Sequence, residues 1–217
     1  IQNGGPAIRA GQTDHSKTSF SRLTFSGNAR DGIELDSTTI SSGVTTWRRD
    51  ASPYFVTGPV YVAQGATLVI ESGVTVRLGT KGFAPRISVD GTVKAEGAAG
   101  APVTFTGING KPGDWMGLYD QNASGNIELR HVIVEHGGWS SASESSVAAI
   151  DAARGRLTVS DTQVRNNKGP GIEAGAGAVI ENSAFIQNGG PAIRVVNLDL
   201  SKTSFSRLTF SGNARDG

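Results

Sequence analysis

The most chemically loaded stretch of this chain holds Glu135, His136, Trp139 and Glu144 within ten residues. An indole on a surface loop offers a flat apolar face for a sugar ring, and the two acids beside it can accept hydrogen bonds from hydroxyls. That makes the stretch the best ligand-binding candidate, with a glycan as the ligand. The same residues read equally well as a decorative loop with Trp139 folded back over the chain. His136, followed by Gly137 and Gly138, has the setting of a turn residue. The Ser-rich run after Trp139 reads as a loop rather than a nucleophile elbow. His15 and His131 stand alone, so no zinc-ligand spacing occurs. No DxDxDG-type calcium loop is present, and no adjacent Asp-Asp pair accompanies a histidine for acid–base hydrolysis. The sequence therefore points to no catalytic residue, no metal and no cofactor.

Composition narrows the classes further. The chain has 217 residues, a formal charge of +1 and no cysteine. A near-neutral balance without Lys/Arg clusters argues against a nucleic-acid partner. No apolar run reaches the ~18 residues of a membrane span. Thirty glycines occur without a Gly-X-Y period, which excludes collagen.

The elements that would carry such a site repeat. VRNNKGPGI from Val164, FIQNGGPAI from Phe185 and FSGNARDG from Phe210 align, with starts 21 and 25 residues apart. Upstream, Leu157 and Val159 match Ala178 and Ile180, and Thr203 and Phe205; an earlier group holds Ile127, Leu129, Val132 and Val134. Steps of two within a group are strand spacing, and the odd step between groups marks a bend. A period this short suits one coil of a solenoid. Asn167, Asn188 and Asn213 hold one position in successive coils, as do Asn3 and Asn28 near the other end, which predicts a stacked structural Asn ladder. The step from Val134 to Val164 is 30 residues, so Trp139–Ser146 should bulge from one turn. Trp47 is expected to cap a solenoid end, and Trp115 to close the turn before Leu118. Thr104 and Thr106 do not recur at coil spacing, so no ice-binding array forms.

Residues 1–32 and 186–217 are nearly the same sequence, offset by 185 residues and differing only where AGQTDH faces VVNLDL. The expected organisation is therefore the end of a preceding tandem copy (1–32) followed by one complete unit (33–217). Within that unit, polar 33–52 reads as a linker or cap and 53–217 as coils.

GATLVIESGVTVRLG, ISVDGTVKAEGAAGAPVTFTG, PGDWMGLY and IELRHVIVEHGG, in that order, resemble the right-handed parallel β-helix repeat proteins of bacterial secreted and cell-surface proteins, with pectate-lyase-like architecture. The resemblance implies an all-β, single-stranded, right-handed parallel β-helix. Coils of about 21–25 residues would give roughly eight coils over about 40 Å. Lyases of this architecture use calcium-holding carboxylates with an Arg or Lys base. The matching candidates are Asp90, Asp114, Asp120, Glu135, Asp151 and Asp161 with Lys94, Arg130, Arg154 and Arg165, and they form no compact set in the sequence. The fold hosts lyases, hydrolases, adhesins and spacers alike. The duplication then favours a non-enzymatic structural or adhesive repeat in a long extracellular bacterial protein, with neighbouring copies and surface glycans as partners. A polysaccharide-active enzyme or a glycan-binding module centred on Trp139 is the alternative.

Overall fold

The computed structural model describes residues 4–79, 84–120, 122–139, 147–196, 199 and 202–214. Asn3 and Glu144 lie outside the described residues.

After β1 (Pro6–Gly11) the chain runs through seven triplets of strands. They are β2 (Arg30–Asp36), β3 (Thr38–Ile40) and β4 (Val44–Trp47); then β5 (Tyr54–Val56), β6 (Val60–Val62) and β7 (Thr67–Ile70). Next come β8 (Thr75–Leu78), β9 (Ile87–Val89) and β10 (Thr92–Glu96), followed by β11 (Val103–Gly107), β12 (Leu118–Asp120) and β13 (Asn126–Arg130). The last three triplets are β14 (Val132–Glu135), β15 (Ile150–Ala152), β16 (Arg156–Ser160); β17 (Gln163–Arg165), β18 (Ile172–Ala174), β19 (Val179–Glu181); and β20 (Ala184–Ile186), β21 (Ile193–Val195), β22 (Ser204–Ser206). β23 (Thr209–Ser211) begins another circuit.

The first strands of the triplets, with β1 and β23, form sheet A; the second strands form sheet B and the third form sheet C. Every strand pair is parallel, and each strand pairs with its counterparts one circuit away. The result is an all-β solenoid of about eight turns with three faces. A 3-10 turn at Arg49–Ala51 is the sole helical element among the described residues, and no helix there is long and apolar enough to cross a membrane.

Alternation places one side-chain set inside. In sheet A, Ile33, Tyr54, Val76, Phe105, Val134, Val164 and Phe185 stack in register and are fully buried. Sheet C contributes Trp47, Ile70, Ala95, Leu129, Val159 and Ile180. At roughly 1.5–3 kcal/mol per buried large apolar side chain, this column is the main source of stability. Each coil alone would leave its apolar face open, so stacking holds the fold together.

One sequence expectation needs correction. Residues 33–52 do not act as a linker, because β2, β3 and β4 pair with β5, β6 and β7 as a complete circuit. Polarity concealed them: Thr38 and Thr45 are buried beside Ile40 and Trp47. Trp47 does stand on the end strand of sheet C, stacked 5.0 Å from the Tyr54 ring. Asn28 donates its side-chain amide to Asp31 at 2.8 Å and to the Ser26 carbonyl, and its expected ladder neighbour Asn3 is outside the described residues.

Candidate functional site

The corner between sheets A and B carries both the Asn ladder and the loop with Trp139. Asn167 donates from Nδ2 to Oδ1 of Asn188 at 2.9 Å, and Asn188 donates likewise to Asn213 at 2.7 Å. Each amide also reaches one coil back, to the carbonyls of Val134, Val164 and Phe185. The Asn167 oxygen accepts the Gly137 N–H at 2.7 Å and so continues the ladder into the His-Gly-Gly turn. All three asparagines are buried with their groups paired, the condition for a buried polar row to stabilise.

His136 sits on that turn in left-handed backbone, φ 65°. Its carbonyl accepts the N–H groups of Gly113 and Asp114 at 3.0 Å. Its Nδ1 lies 2.9 Å from the Thr106 hydroxyl, which donates to Oε1 of Glu135 at 2.9 Å. One hydroxyl proton serves one acceptor, so Nδ1 carries the proton toward Thr106. Oε2 of Glu135 accepts from Arg165 Nε at 2.9 Å. Glu135 and His136 are 15% and 16% exposed at the side chain: reachable, but locked into one chain of bonds.

Trp139 is half-buried, and its backbone N–H donates to the Trp115 carbonyl at 3.0 Å, so the loop stays pinned to the coil up to the indole. Trp115 is fully buried, donates from its indole to the Glu135 carbonyl at 3.0 Å and stacks on Phe105. The structure thus brings Glu135, His136 and Trp139 to one corner.

The other acids are dispersed. Asp114 caps its own loop through Asn109. Asp90 and Asp120 lie at the corner between sheets B and C, and Asp151 stands mid-strand on sheet B in register with Tyr119. Asp90 accepts from Tyr61 and Asn122, both at 2.7 Å, and Asp120 accepts the Gly125 N–H. Burial raises the Asp120 pKa, and it pushes that of Asp151 up to about 6, with Glu173 adding to the latter. Asp161 stands at the corner between sheets C and A, 4.0 Å from both Arg130 and His131. Among the described residues no three acids or histidines group to hold a metal ion.

A feature missing from the sequence reading is a shallow groove of about 160 Å³ on the outside of sheet C. Glu96, Glu128, Arg130, Thr158 and Ser160 line it, and Lys94 stands in register with Glu128. Aligning TVKAE, NIELR and RLTVS would have stacked these residues, and that alignment is the signal that was available.

The family model described as a pectate-lyase-like β-helix domain matches residues 38–149. No curated protein and no solved structure matches the chain.

Proposed function

The chain belongs to the pectate-lyase-like β-helix family, and from that premise we propose that it is a non-enzymatic structural or adhesive unit of a tandem array in a long extracellular or cell-surface bacterial protein. The observation that carries this reading is the near-identity of residues 1–32 and 186–217. The open end supports it as well. Phe205 and Phe210 occupy core positions above Ile180 and Phe185, yet are 40% and 50% exposed. Such a surface suits a stacking neighbour, within one chain or end to end in a filament. Among the described residues the acids are spread over the corners and the outer faces of sheets B and C, and Glu135, Asp90 and Asp120 are each held in hydrogen bonds, whereas general acid–base work needs an acid and a base free to meet at a common point. The full-length parent polypeptide tests the proposal. Further copies at a 185-residue spacing, with an export signal, are expected; a lone copy sinks it.

A second reading, glycan recognition, draws on the family description and on Trp139 beside Glu135 and His136. A glycan array is the test. Binding that Trp139→Ala abolishes, with the fold intact, would support an adhesive contact there. Depolymerisation of an acidic polysaccharide would instead favour an enzyme.

A further inference from the structure

Residues 1–9 and 186–194 are the same sequence, IQNGGPAIR, yet the two copies sit in different sheets. Ile193–Val195 is the end strand of sheet B, paired with β18 on one side and with no strand among the described residues on the other. Ile8, Arg9 and Ala10 belong to β1, the end strand of sheet A, and pair with Ile33, Glu34 and Leu35 of β2. One position of the repeat is therefore seen twice, each time with one of its two neighbours. β21 displays the neighbour from its own unit, and β1 displays the neighbour from the unit that follows.

We propose that this other edge of β21 receives β2 of a following copy, so that sheet B of one unit continues as sheet A of the next. Ile193, Arg194 and Val195 then pair with Ile33, Glu34 and Leu35 of the following unit. The proposal rests on the tandem-array reading and specifies its joint.

Three observations carry it. The circuit from Ile8 to Ile33 is 25 residues, the same as from Phe185 to Phe210 and from Asn188 to Asn213, so the joint is one ordinary coil. The charges interleave: Arg194 bonds Glu173 at 3.0 Å, and its equivalent Arg9 bonds Glu34 at 2.9 Å. Superposed, these make a Glu–Arg–Glu column, and it supplies a second cation, beside Arg30, to Glu34, whose side chain is only 6% exposed. The added circuit also covers Phe205 and Phe210.

In the present chain Thr13–His15 occupy the edge of β3, with the His15 N–H donating to the Thr39 carbonyl at 2.8 Å. The arrangement gives that edge to β22. The detour coincides with the one stretch where the copies diverge: Thr13 and His15 stand where the other copy has Leu198 and Leu200.

The geometry has a consequence. From β2 to β23 there are 22 strands among the described residues, seven circuits and one third. At a strand spacing of about 4.8 Å each unit adds about 35 Å and a third of a turn. The groove on sheet C and the corner holding Trp139 therefore return to the same side only at every third unit.

The chain has no cysteine, so cross-linking is clean. Register neighbours on adjacent strands fall within the roughly 4.4–6.8 Å Cα range of a disulfide. Arg9→Cys with Glu34→Cys in the 217-residue chain is the reference pair. In a chain where Gly217 is followed by a second 33–217, Arg194→Cys in the first unit with Glu34→Cys in the second should close to the same extent on mild oxidation, read by peptide mass spectrometry. Ser211→Cys with that Glu34→Cys should stay reduced. Closure of the Ser211 pair instead overturns the sheet exchange but leaves a stacked array standing. Neither pair closing, while the reference closes, overturns the tandem stacking itself. A cysteine-free measurement backs this up: Arg194→Ala should lower the thermal midpoint of the two-unit chain more than that of the single chain. Equal losses contradict the joint.

Discussion

The two ends of the molecule carry nearly one sequence and adopt two structures. At the far end, Ser204–Ser206 and Thr209–Ser211 are strands laid on β19 and β20, with Asn213 buried in the ladder. Near the start, the identical Ser19–Ser21 and Thr24–Ser26 form no strand, and Phe20, Leu23 and Phe25 pack over the first circuit as a cover. Local sequence is held constant, so the difference comes from the coil beneath. Thr209 donates its N–H to Ser183 and Ala214 to Asn188, whereas among the described residues no strand pairs beneath the early copy. A solenoid strand here is a property of the stack more than of its own residues.

The largest effect should come from the apolar column. Phe185→Ala should cost about 3–5 kcal/mol by denaturant unfolding, and Phe25→Ala in the cover less than half of that. Equal costs would erase the distinction between stack and cover. Asn188→Ala comes next. It strips paired groups from both neighbours and should cost about 2–3 kcal/mol, against a few tenths for Asn28→Ala, whose amide donates within its own turn among the described residues.

Acidity should separate the two regions in opposite directions. Asp151, mid-stack, has a folded pKa of about 6, above its ordinary 3.8. The native state therefore holds its proton more tightly, and stability should fall by about 1 kcal/mol as pH rises from 4 to 7. Asp151→Asn should flatten that slope. In the cover, burial lowers the pKa of His15 despite the charge of Asp14, with Thr13 2.9 Å from Nε2 and the Phe20 ring alongside. Its buried neutral form is lost as pH falls below 6.5 through the folded value. The cover should thus become more sensitive to proteolysis at pH 5 than at pH 7.5. His15→Leu, which copies the other end, should remove the difference; cleavage independent of pH in the parent chain would contradict this packing.

Much of the stack was legible because its chemistry repeats. The two-residue steps around Val134, Val164 and Phe185 exposed the inward column, and Asn167, Asn188 and Asn213 kept one register. β2 to β4 were hidden because threonines take core positions there: Thr45 satisfies its hydroxyl on the His15 carbonyl, a partner thirty residues away. At the site, Glu135, His136 and Trp139 were visible as neighbours in sequence. The locking partners Thr106 and Arg165 were not, since each comes from an adjacent coil. The sheet C groove escaped for the same reason.

The most direct test is amide hydrogen exchange on the assigned 217-residue chain, comparing Thr24–Asn28 with Thr209–Asn213. If the underlying coil determines the structure, the later segment should exchange at least tenfold more slowly despite its identical sequence. Equal protection at both places would contradict the account.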